Sequence, residues 1–104
     1  MVAIASLVSP LRSDREIPRA LTAAADLPFI EVHVATPLAE CERRDPKGLY
    51  AKARAGELKG LTGIDTPYEA PENPDLVIDT TGADADELVR QILEILADRE
   101  HASV

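Results

Sequence analysis

The sequence predicts an α/β fold in which helices flank a narrow parallel sheet. Stretches that suit strands alternate with stretches of helical spacing, in the order strand, helix, strand, helix, loop, strand and helix. The first strand-like stretch is apolar almost throughout, which is typical of a strand buried on both faces of a parallel sheet. Only about three strands are predicted in 104 residues, so we expect the sheet to be incomplete.

The first third of the chain predicts two strands joined by a helix. Residues 2–8 form the apolar stretch, which is rich in β-branched side chains. A helix is expected over residues 14–25, where Ser13 and Glu16 have the spacing of a capping box. Residues 27–34 predict the second strand because their side chains alternate between two faces.

The rest of the chain predicts two further helices, a long loop and a third strand. Thr36 suits the cap of the next helix, and Pro37 suits its first position. A short helical piece is expected inside the loop, over residues 49–55. Residues 75–81 predict the third strand, and the last helix is expected over residues 84–99, where apolar side chains recur at helical spacing.

Composition excludes several classes of function. A net charge of −8 argues against general binding of nucleic acid or of an anionic membrane. No apolar run approaches the length of a membrane span, and the start lacks the cationic region of a signal peptide, so a cytoplasmic protein is expected. Cys41 is the only cysteine, and His33 and His101 lie far apart, so we identify no metal-ligating residues.

The loop over residues 45–74 is unusually long for a compact domain. It contains four glycines and four prolines, and six of the eleven cations of the chain lie within residues 43–59. Loops of this length are usually functional or disordered. A cationic patch on an acidic protein indicates either a bound anion such as phosphate or a solvated charged surface, and both interpretations stay open.

Two stretches of this region, "ERRDPKGLYAKARAGELKGLTGID" and "PYEAPENP", resemble the C-terminal half of the adenylyl-sulfate kinases. The resemblance extends from Val2 to about Leu96. Members of that family are P-loop kinases of sulfate assimilation that phosphorylate the ribose 3′-hydroxyl of adenosine 5′-phosphosulfate with MgATP. The resemblance therefore implies that residues 1–104 are the C-terminal portion of such a domain, that ATP and Mg²⁺ are cofactors, and that residues 45–74 are a mobile lid.

The resemblance also implies residues that bind the sulfated substrate. "VSPLRSDR" is similar to the family motif "ISPYRADR", so Ser9 would face the transfer site, at a position where some members carry a phosphorylated serine. Arg12 would bind the phosphosulfate group, and Lys47 and Lys52 would approach phosphates from the lid. The wall against the substrate adenine would be formed by Leu61, Ile64 and Asp65.

For ATP, the resemblance places Arg44 against the adenine, with Asn73 and Pro74 framing the same base. Three positions depart from the family pattern: leucine replaces tyrosine at Leu11, alanine replaces lysine at Ala51, and leucine replaces the usual phenylalanine at Leu61. The last change removes aromatic stacking, on the order of 1 kcal/mol. A purely structural alternative is that Leu61 and Ile64 anchor the loop in a core, and that Ser9 only ends a strand.

A phosphate-binding loop G-x-x-x-x-G-K-[ST], which the family places early in the domain, does not occur in the 104 residues. Because such a loop supplies most of the electrostatic stabilisation in phosphoryl transfer, we expect little catalysis from this chain alone. Two hypotheses follow: half of an active kinase that an N-terminal half completes, or a non-catalytic module that binds nucleotides or a partner. A fragment of another P-loop nucleoside kinase is a third, less specific alternative.

The partners expected from the sequence are the two nucleotides, the missing half of the domain and other protein chains. A sheet that lacks strands leaves apolar faces in water, which costs on the order of 25 cal/mol per Å². Self-association is therefore expected, with residues 2–8 as an edge strand that could pair between molecules. A sulfurylase is the further partner that the resemblance implies.

Overall fold

The computed structural model describes residues 2–64 and 66–102, with side chains up to Arg99. The described chain forms four helices and two strands, joined by irregular segments. In chain order these are α1 (Arg12–Ala24), β1 (Val32–Val34), α2 (Leu38–Arg44), α3 (Leu49–Arg54), β2 (Leu76–Ile78) and α4 (Ala85–Ala102).

The two strands form a small parallel sheet. Val32 pairs with Leu76 and Val34 pairs with Ile78. One further backbone bond follows, from Ala35 N to the Ile78 carbonyl at 2.6 Å. Ile78 is the most buried apolar residue described, with 8% of its surface exposed. The α/β character and the parallel pairing that the sequence predicts are therefore present.

The expectation of about three strands is wrong for the described structure, which has two. Residues 2–8 form no strand. Within the described residues, no backbone hydrogen bond joins this segment to another one. Its apolar side chains lie in water: Ile4 is 88% exposed and Leu7 is 79% exposed. A strand requires a hydrogen-bonded neighbour, and the described residues supply none to this segment.

The first helix begins two residues earlier than predicted and has a different cap. Leu11 occupies the cap position without a side-chain hydrogen bond, and Ser13 lies inside the helix, so the predicted capping box is wrong. A distant group replaces it, because Arg12 N donates to Glu69 Oε1 at 2.8 Å. Pro18 lies inside α1, where Thr22 Oγ1 donates to its carbonyl at 2.9 Å.

Thr36 joins the two strands instead of capping α2, which corrects the predicted role. The cap position of α2 belongs to Pro37. The Thr36 hydroxyl lies 2.8 Å from the Thr80 hydroxyl and accepts a hydrogen bond from Thr80 N at 3.0 Å. Since Thr36 follows β1 and Thr80 follows β2, these bonds hold the carboxyl ends of the two strands together.

Asp75 holds the opposite ends of the strands and anchors α4. Its Oδ2 accepts a hydrogen bond from Glu31 N at 2.7 Å, and its Oδ1 forms an ion pair with Arg99. The last helix begins at Ala85, where Asp84 Oδ1 accepts a hydrogen bond from Asp86 N at 3.1 Å. Among the described helices, none is long and apolar enough to cross a membrane.

Candidate functional site

Arg44 lies at the carboxyl ends of the strands, which is where ligands bind in open α/β sheets. Its Nη1 donates to Thr80 Oγ1 at 2.7 Å, and its Nη2 donates to the Thr80 carbonyl at 3.0 Å. Its Nε donates to Glu40 Oε1 at 3.0 Å. These three bonds fix the planar guanidinium of Arg44 beside the loop that follows β2, and its side chain remains 40% exposed.

Two carboxyl groups at this end of the sheet have lowered pKa values. Hydrogen bonds from Arg43 hold the pKa of Glu40 at about 2, and hydrogen bonds and charge from Arg44 act in the same direction against the opposing effect of desolvation. The pKa of Asp79 is also lowered, because the side chain and the backbone N–H of Thr81 bond to it. Glu40 therefore stays ionised and orients Arg44.

The start of α1 is bound to the second part of the predicted lid. Arg12 Nε donates to the Ala70 carbonyl at 3.0 Å, and Arg12 Nη1 lies 3.8 Å from Glu72 Oε1. In the opposite direction, Glu69 N donates to the Pro10 carbonyl at 2.7 Å. The segment around Glu69 is thus anchored, and the half-exposed Arg12 pairs with a carboxylate at the place where an anion is expected.

Arg15 is a site-forming residue that sequence reasoning missed. Its Nη1 donates to the Ser9 carbonyl at 2.6 Å, and its Nη2 donates to the Glu69 carbonyl. The guanidinium also lies 5.6 Å from the ring centre of Tyr68. Ser9 has a positive φ of 40°, which is uncommon for a residue other than glycine. The only sequence signal for Arg15 was its position as second arginine of "SPLRSDR".

The first part of the predicted lid contains a short helix, α3, which is bonded to α2. Asp45 Oδ1 accepts a hydrogen bond from Tyr50 N at 3.1 Å, and its Oδ2 accepts one from Ala51 N at 3.0 Å. These bonds satisfy two of the free N–H groups at the start of α3. Arg54 and Glu42 form a bidentate pair with N–O distances of 2.7 Å and 3.2 Å. The helix predicted over residues 49–55 is thus confirmed.

Leu61 and Ile64 lie together in one tight turn. Ile64 N donates to the Leu61 carbonyl at 3.1 Å, and both side chains are half-buried. Gly63 occupies the third position with φ +91°, the region that a type II turn needs there. A Cβ on Gly63 would lie 3.2 Å from Leu38 Cδ1. The turn is therefore packed against α2, while Asp65 lies outside the described residues.

Arginines and lysines differ in whether they form ion pairs. Each of the eight arginines forms an ion pair with an aspartate or glutamate. The three lysines of the chain are Lys47, Lys52 and Lys59. All three are exposed, and none forms an ion pair within the described residues. Among the described lysine and arginine side chains, those without an ion pair therefore all lie on the predicted lid.

The structure does not bring Asn73 together with Arg44. Asn73 precedes β2 and lines a cavity of about 410 Å³ that Arg12 and Glu72 also line. Arg44, in contrast, is bound to Thr80, which follows β2. Pro74 is half-buried beside Asp75 at the same end as Asn73. The joint contact of Asn73, Pro74 and Arg44 with one adenine thus stays a prediction.

Within residues 2–64 and 66–102, no group of three or more histidine, cysteine, aspartate or glutamate side chains is arranged to hold a metal ion. A nucleotide fits better, because its phosphates suit the exposed lysines and its base suits a fixed guanidinium plane.

Comparison with known proteins identifies relatives across the chain. A family model described as adenylylsulphate kinase matches residues 1–79. The adenylyl-sulfate kinase of Shewanella amazonensis is 53% identical over 96 residues, which cover 92% of this chain and 48% of that protein. The bifunctional enzyme NodQ of Azospirillum brasilense is also 53% identical over 96 residues, which cover 15% of its length. The chain thus spans about half the length of the adenylyl-sulfate kinases it matches, and it matches their C-terminal half.

A solved structure agrees with this match. The Mycobacterium tuberculosis APS kinase CysC, solved in complex with AMPPNP and APS, is 48% identical to this chain. The similarity covers 88% of this chain and 52% of that chain, with a TM-score of 0.83. The predicted resemblance to P-loop kinases is confirmed by this likeness, although the sheet described here has two strands.

Proposed function

The chain belongs to the adenylylsulphate kinase family, and we propose that it is the lid-bearing half of a kinase domain that phosphorylates the ribose 3′-hydroxyl of adenosine 5′-phosphosulfate. ATP is the proposed phosphoryl donor, Mg²⁺ the accompanying ion, sulfate assimilation the process and the cytoplasm the location. The identity of 53% to an adenylyl-sulfate kinase supports the reaction, and the neighbour solved with AMPPNP and APS supports the two nucleotides.

The division between paired arginines and available lysines is the observation that carries this proposal. A sulfated nucleotide and ATP together present several negative charges within a small volume. Lys47 and Lys52 can meet these charges without breaking an internal ion pair, since neither forms one within the described residues. A lysine ammonium is a compact point charge on a flexible stem, which suits a lid that has to move over phosphates.

We propose the following roles for the other residues. Arg44, held in plane by Thr80 and Glu40, stacks on the ATP adenine, and Asn73 and Pro74 complete the surroundings of that base. Arg12 binds the phosphosulfate by exchanging its exposed partner Glu72 for the ligand. The turn that contains Leu61 and Ile64, with Asp65, forms the wall against the substrate adenine. Ser9 faces the transfer site.

The chain's own contribution to catalysis is positioning and exclusion of water. The γ-phosphoryl group passes between two bound nucleotides, so its transfer depends on their alignment and on protection from solvent. The magnesium ion, when bound, neutralises charge on the phosphates. The residues of this chain hold the bases and close the lid, and the 104 residues contain no phosphate-binding loop of their own.

A second candidate, a nucleotide-binding module without catalysis, is favoured by one observation. The 104 residues contain no G-x-x-x-x-G-K-[ST] motif. In that case the chain binds nucleotides and does not transfer a phosphoryl group. Incubation with ATP, Mg²⁺ and adenosine 5′-phosphosulfate separates the candidates, because formation of the 3′-phosphorylated product by the purified chain excludes the module.

Calorimetric titration of the chain with adenosine 5′-phosphosulfate tests the proposed site. We expect Lys47→Ala and Lys52→Ala each to weaken binding about tenfold, since a hydrogen bond to a charged group contributes about 1.5–3 kcal/mol. Lys59→Ala is the matched control, because Lys59 is exposed on the same lid and has no role in the proposed site. Equal losses in all three variants would indicate general attraction, and no measurable binding would refute the site.

The further partners are proposals of the same kind. The name of NodQ, a bifunctional enzyme that this chain matches over 15% of its length, supports a second activity fused or associated with such a domain, and a sulfurylase is our candidate. A homo-oligomer or a separate N-terminal half would cover the exposed apolar faces. Mass measurement by light scattering of the chain, alone and with each candidate, distinguishes these partners.

A further inference from the structure

Glu69 and Ala70, near the end of the predicted lid, are hydrogen-bonded to the SPLR segment, residues 9–12. The backbone N–H of Arg12 donates to Glu69 Oε1 at 2.8 Å, and Arg12 Nε donates to the Ala70 carbonyl at 3.0 Å. A third bond runs from Glu69 N to the Pro10 carbonyl at 2.7 Å. Two consecutive residues therefore fix both the backbone and one side chain of a segment that lies more than fifty positions away.

Ser9 keeps an uncommon backbone conformation within this network. Its φ is 40°, in a region that costs free energy for residues other than glycine. Arg15 Nη1 donates to the Ser9 carbonyl at 2.6 Å, and Arg15 Nη2 donates to the Glu69 carbonyl. The Arg15 side chain is only 12% exposed, so water competes little for these bonds. Arg15 thus fixes the carbonyl of Ser9 relative to Glu69.

The bond to Ala70 leaves the outer edge of the Arg12 guanidinium available. Within the described residues, Arg12 Nη2 forms no hydrogen bond or ion pair. Arg12 Nη1 lies 3.8 Å from Glu72 Oε1, beyond hydrogen-bond distance, and the Glu72 side chain is 71% exposed. A guanidinium held through Nε presents its two terminal nitrogens to an oxyanion in the bidentate geometry that arginine favours. The contact with Ala70 therefore orients Arg12 for an anion.

Glu69 places a negative charge close to this proposed anion site. That charge opposes the binding of a phosphosulfate, so electrostatic attraction is not what Glu69 contributes. Its Oε1 instead accepts the first N–H of α1, a group that has no partner inside the helix. The favourable contribution of Glu69 is therefore the position of a hydrogen-bond acceptor.

We propose that Glu69 is a positioning residue: acting through Arg12 and Arg15, it holds the SPLR segment in the conformation that presents Arg12 to an oxyanion. That this oxyanion is the phosphosulfate of adenosine 5′-phosphosulfate rests on the proposed function, whereas the positioning rests on the hydrogen bonds of Glu69 and Ala70. Glu69 itself touches neither nucleotide. The carboxyl-terminal part of the predicted lid thus serves the substrate site as a fixed support.

Two substitutions at position 69 separate the acceptor from its charge. Glu69→Gln retains a carbonyl oxygen that can accept from Arg12 N, and it removes the charge that opposes the anion. Glu69→Asp retains the charge, but its shorter side chain withdraws the acceptor. Calorimetric titration of the 104-residue chain with adenosine 5′-phosphosulfate should show at least wild-type affinity for Glu69→Gln and about a fivefold loss for Glu69→Asp.

AMPPNP is the reference ligand for both variants. Its affinity should change less than about twofold, since Arg44 is held by Thr80 and not by Glu69. A purely structural role of Glu69 would weaken the binding of both nucleotides together. Glu57→Asp is the matched control on the predicted lid, because within the described residues no hydrogen bond or ion pair joins the Glu57 side chain to residues 9–15. It should leave both affinities within about twofold of the wild type.

Amide exchange of Arg12 is the readout that needs no ligand. Because its N–H donates to Glu69 Oε1, exchange should accelerate about fivefold in Glu69→Asp and change less than about twofold in Glu69→Gln. Unchanged exchange in Glu69→Asp would overturn the positioning role. So would a wild-type affinity of Glu69→Asp for adenosine 5′-phosphosulfate, or equal losses in the two variants.

The two readouts distinguish this inference from the proposed function. A wild-type chain that binds no adenosine 5′-phosphosulfate, but whose variants show the expected exchange of Arg12, refutes the proposed substrate and retains the positioning of Arg12 by Glu69. A chain that binds the nucleotide equally well with glutamate or aspartate at position 69 retains the substrate and refutes the positioning.

Discussion

Arg44 is joined to Thr80 by two hydrogen bonds, one to its hydroxyl at 2.7 Å and one to its carbonyl at 3.0 Å. The two residues lie 36 positions apart in the sequence and come from α2 and from the loop after β2. The contact fixes a guanidinium plane at the end of the sheet where a nucleotide base is proposed to bind. Its integrity can therefore be tested through nucleotide affinity.

We expect Thr80→Val to weaken binding of AMPPNP about fivefold, because it removes one hydrogen bond that holds Arg44, a loss of about 1 kcal/mol. Calorimetric titration measures the change. Thr81→Val is the control, since Thr81 bonds to Asp79 and forms no hydrogen bond with Arg44. If Thr80→Val left the affinity for AMPPNP unchanged, the orientation of Arg44 by Thr80 would not contribute to nucleotide binding.

Glu40 should titrate far below an ordinary glutamate. Its pKa is lowered from 4.5 to about 2, chiefly by hydrogen bonds from Arg43. Because the folded-state pKa is the lower one, the stabilisation is complete above pH 4.5 and is lost as the pH falls towards about 2. Arg43→Gln should raise the pKa of Glu40 towards 4.5, measured from the carboxyl carbon shift by NMR.

Arg90→Gln is the matched control for that titration, because Arg90 pairs with Glu87 at the same i,i+3 spacing on α4. It should leave the Glu40 titration unchanged. A wild-type midpoint close to 4.5 would show that the pair between Arg43 and Glu40 does not persist in solution.

Asp45→Ala should loosen α3, because it removes the carboxylate that accepts hydrogen bonds from Tyr50 N and Ala51 N. Loss of a cap of this kind costs about 1 kcal/mol. Amide exchange at Tyr50 and Ala51 should accelerate about fivefold. Asp45→Asn tolerates the positive φ of 23° and keeps one of the two acceptor oxygens, so it should lose one of the two hydrogen bonds and lie between the wild type and Asp45→Ala. Identical exchange in the two variants would exclude capping by Asp45.

Gly63→Ala should destabilise the turn by more than Gly56→Ala does elsewhere in the lid. Both glycines have positive φ, +91° and +80°, so alanine is strained at either position by about 1–2 kcal/mol. Only at Gly63 would the new Cβ approach another side chain, Leu38 Cδ1 at 3.2 Å. Urea denaturation measures the difference. Leu38→Ala should reduce the excess, and equal losses in the two single variants would show that the lid is not packed against α2.

Local patterns predicted the helices better than their caps. The short helix α3 was expected over residues 49–55 and runs over Leu49–Arg54. The predicted capping box of α1 failed because the acceptor that satisfies Arg12 N is Glu69, which lies 57 positions away. Thr36 was likewise assigned to a local cap, but its hydroxyl bonds to Thr80 across the sheet. Such distant partners leave no local signal in the sequence.

Strand formation also depends on partners that the local sequence does not reveal. The segment over residues 2–8 has the composition of a buried strand, yet pairing depends on a neighbour that the described residues do not supply. The family could be predicted from the sequence motifs of the predicted lid. The anchoring role of Arg15 could not, because its partner Glu69 lies 54 positions away. The proposed roles of Ser9, Arg12, Lys47 and Lys52 await the measurements described.

Since every lysine of the chain lies between positions 47 and 59, all of its side-chain primary amines lie on the lid. An amine-reactive fluorophore used in small amounts will label this segment. Because that reaction removes the positive charge of Lys47 and Lys52, labelling should abolish the proposed binding of phosphates, and bound nucleotide should in turn protect these two amines.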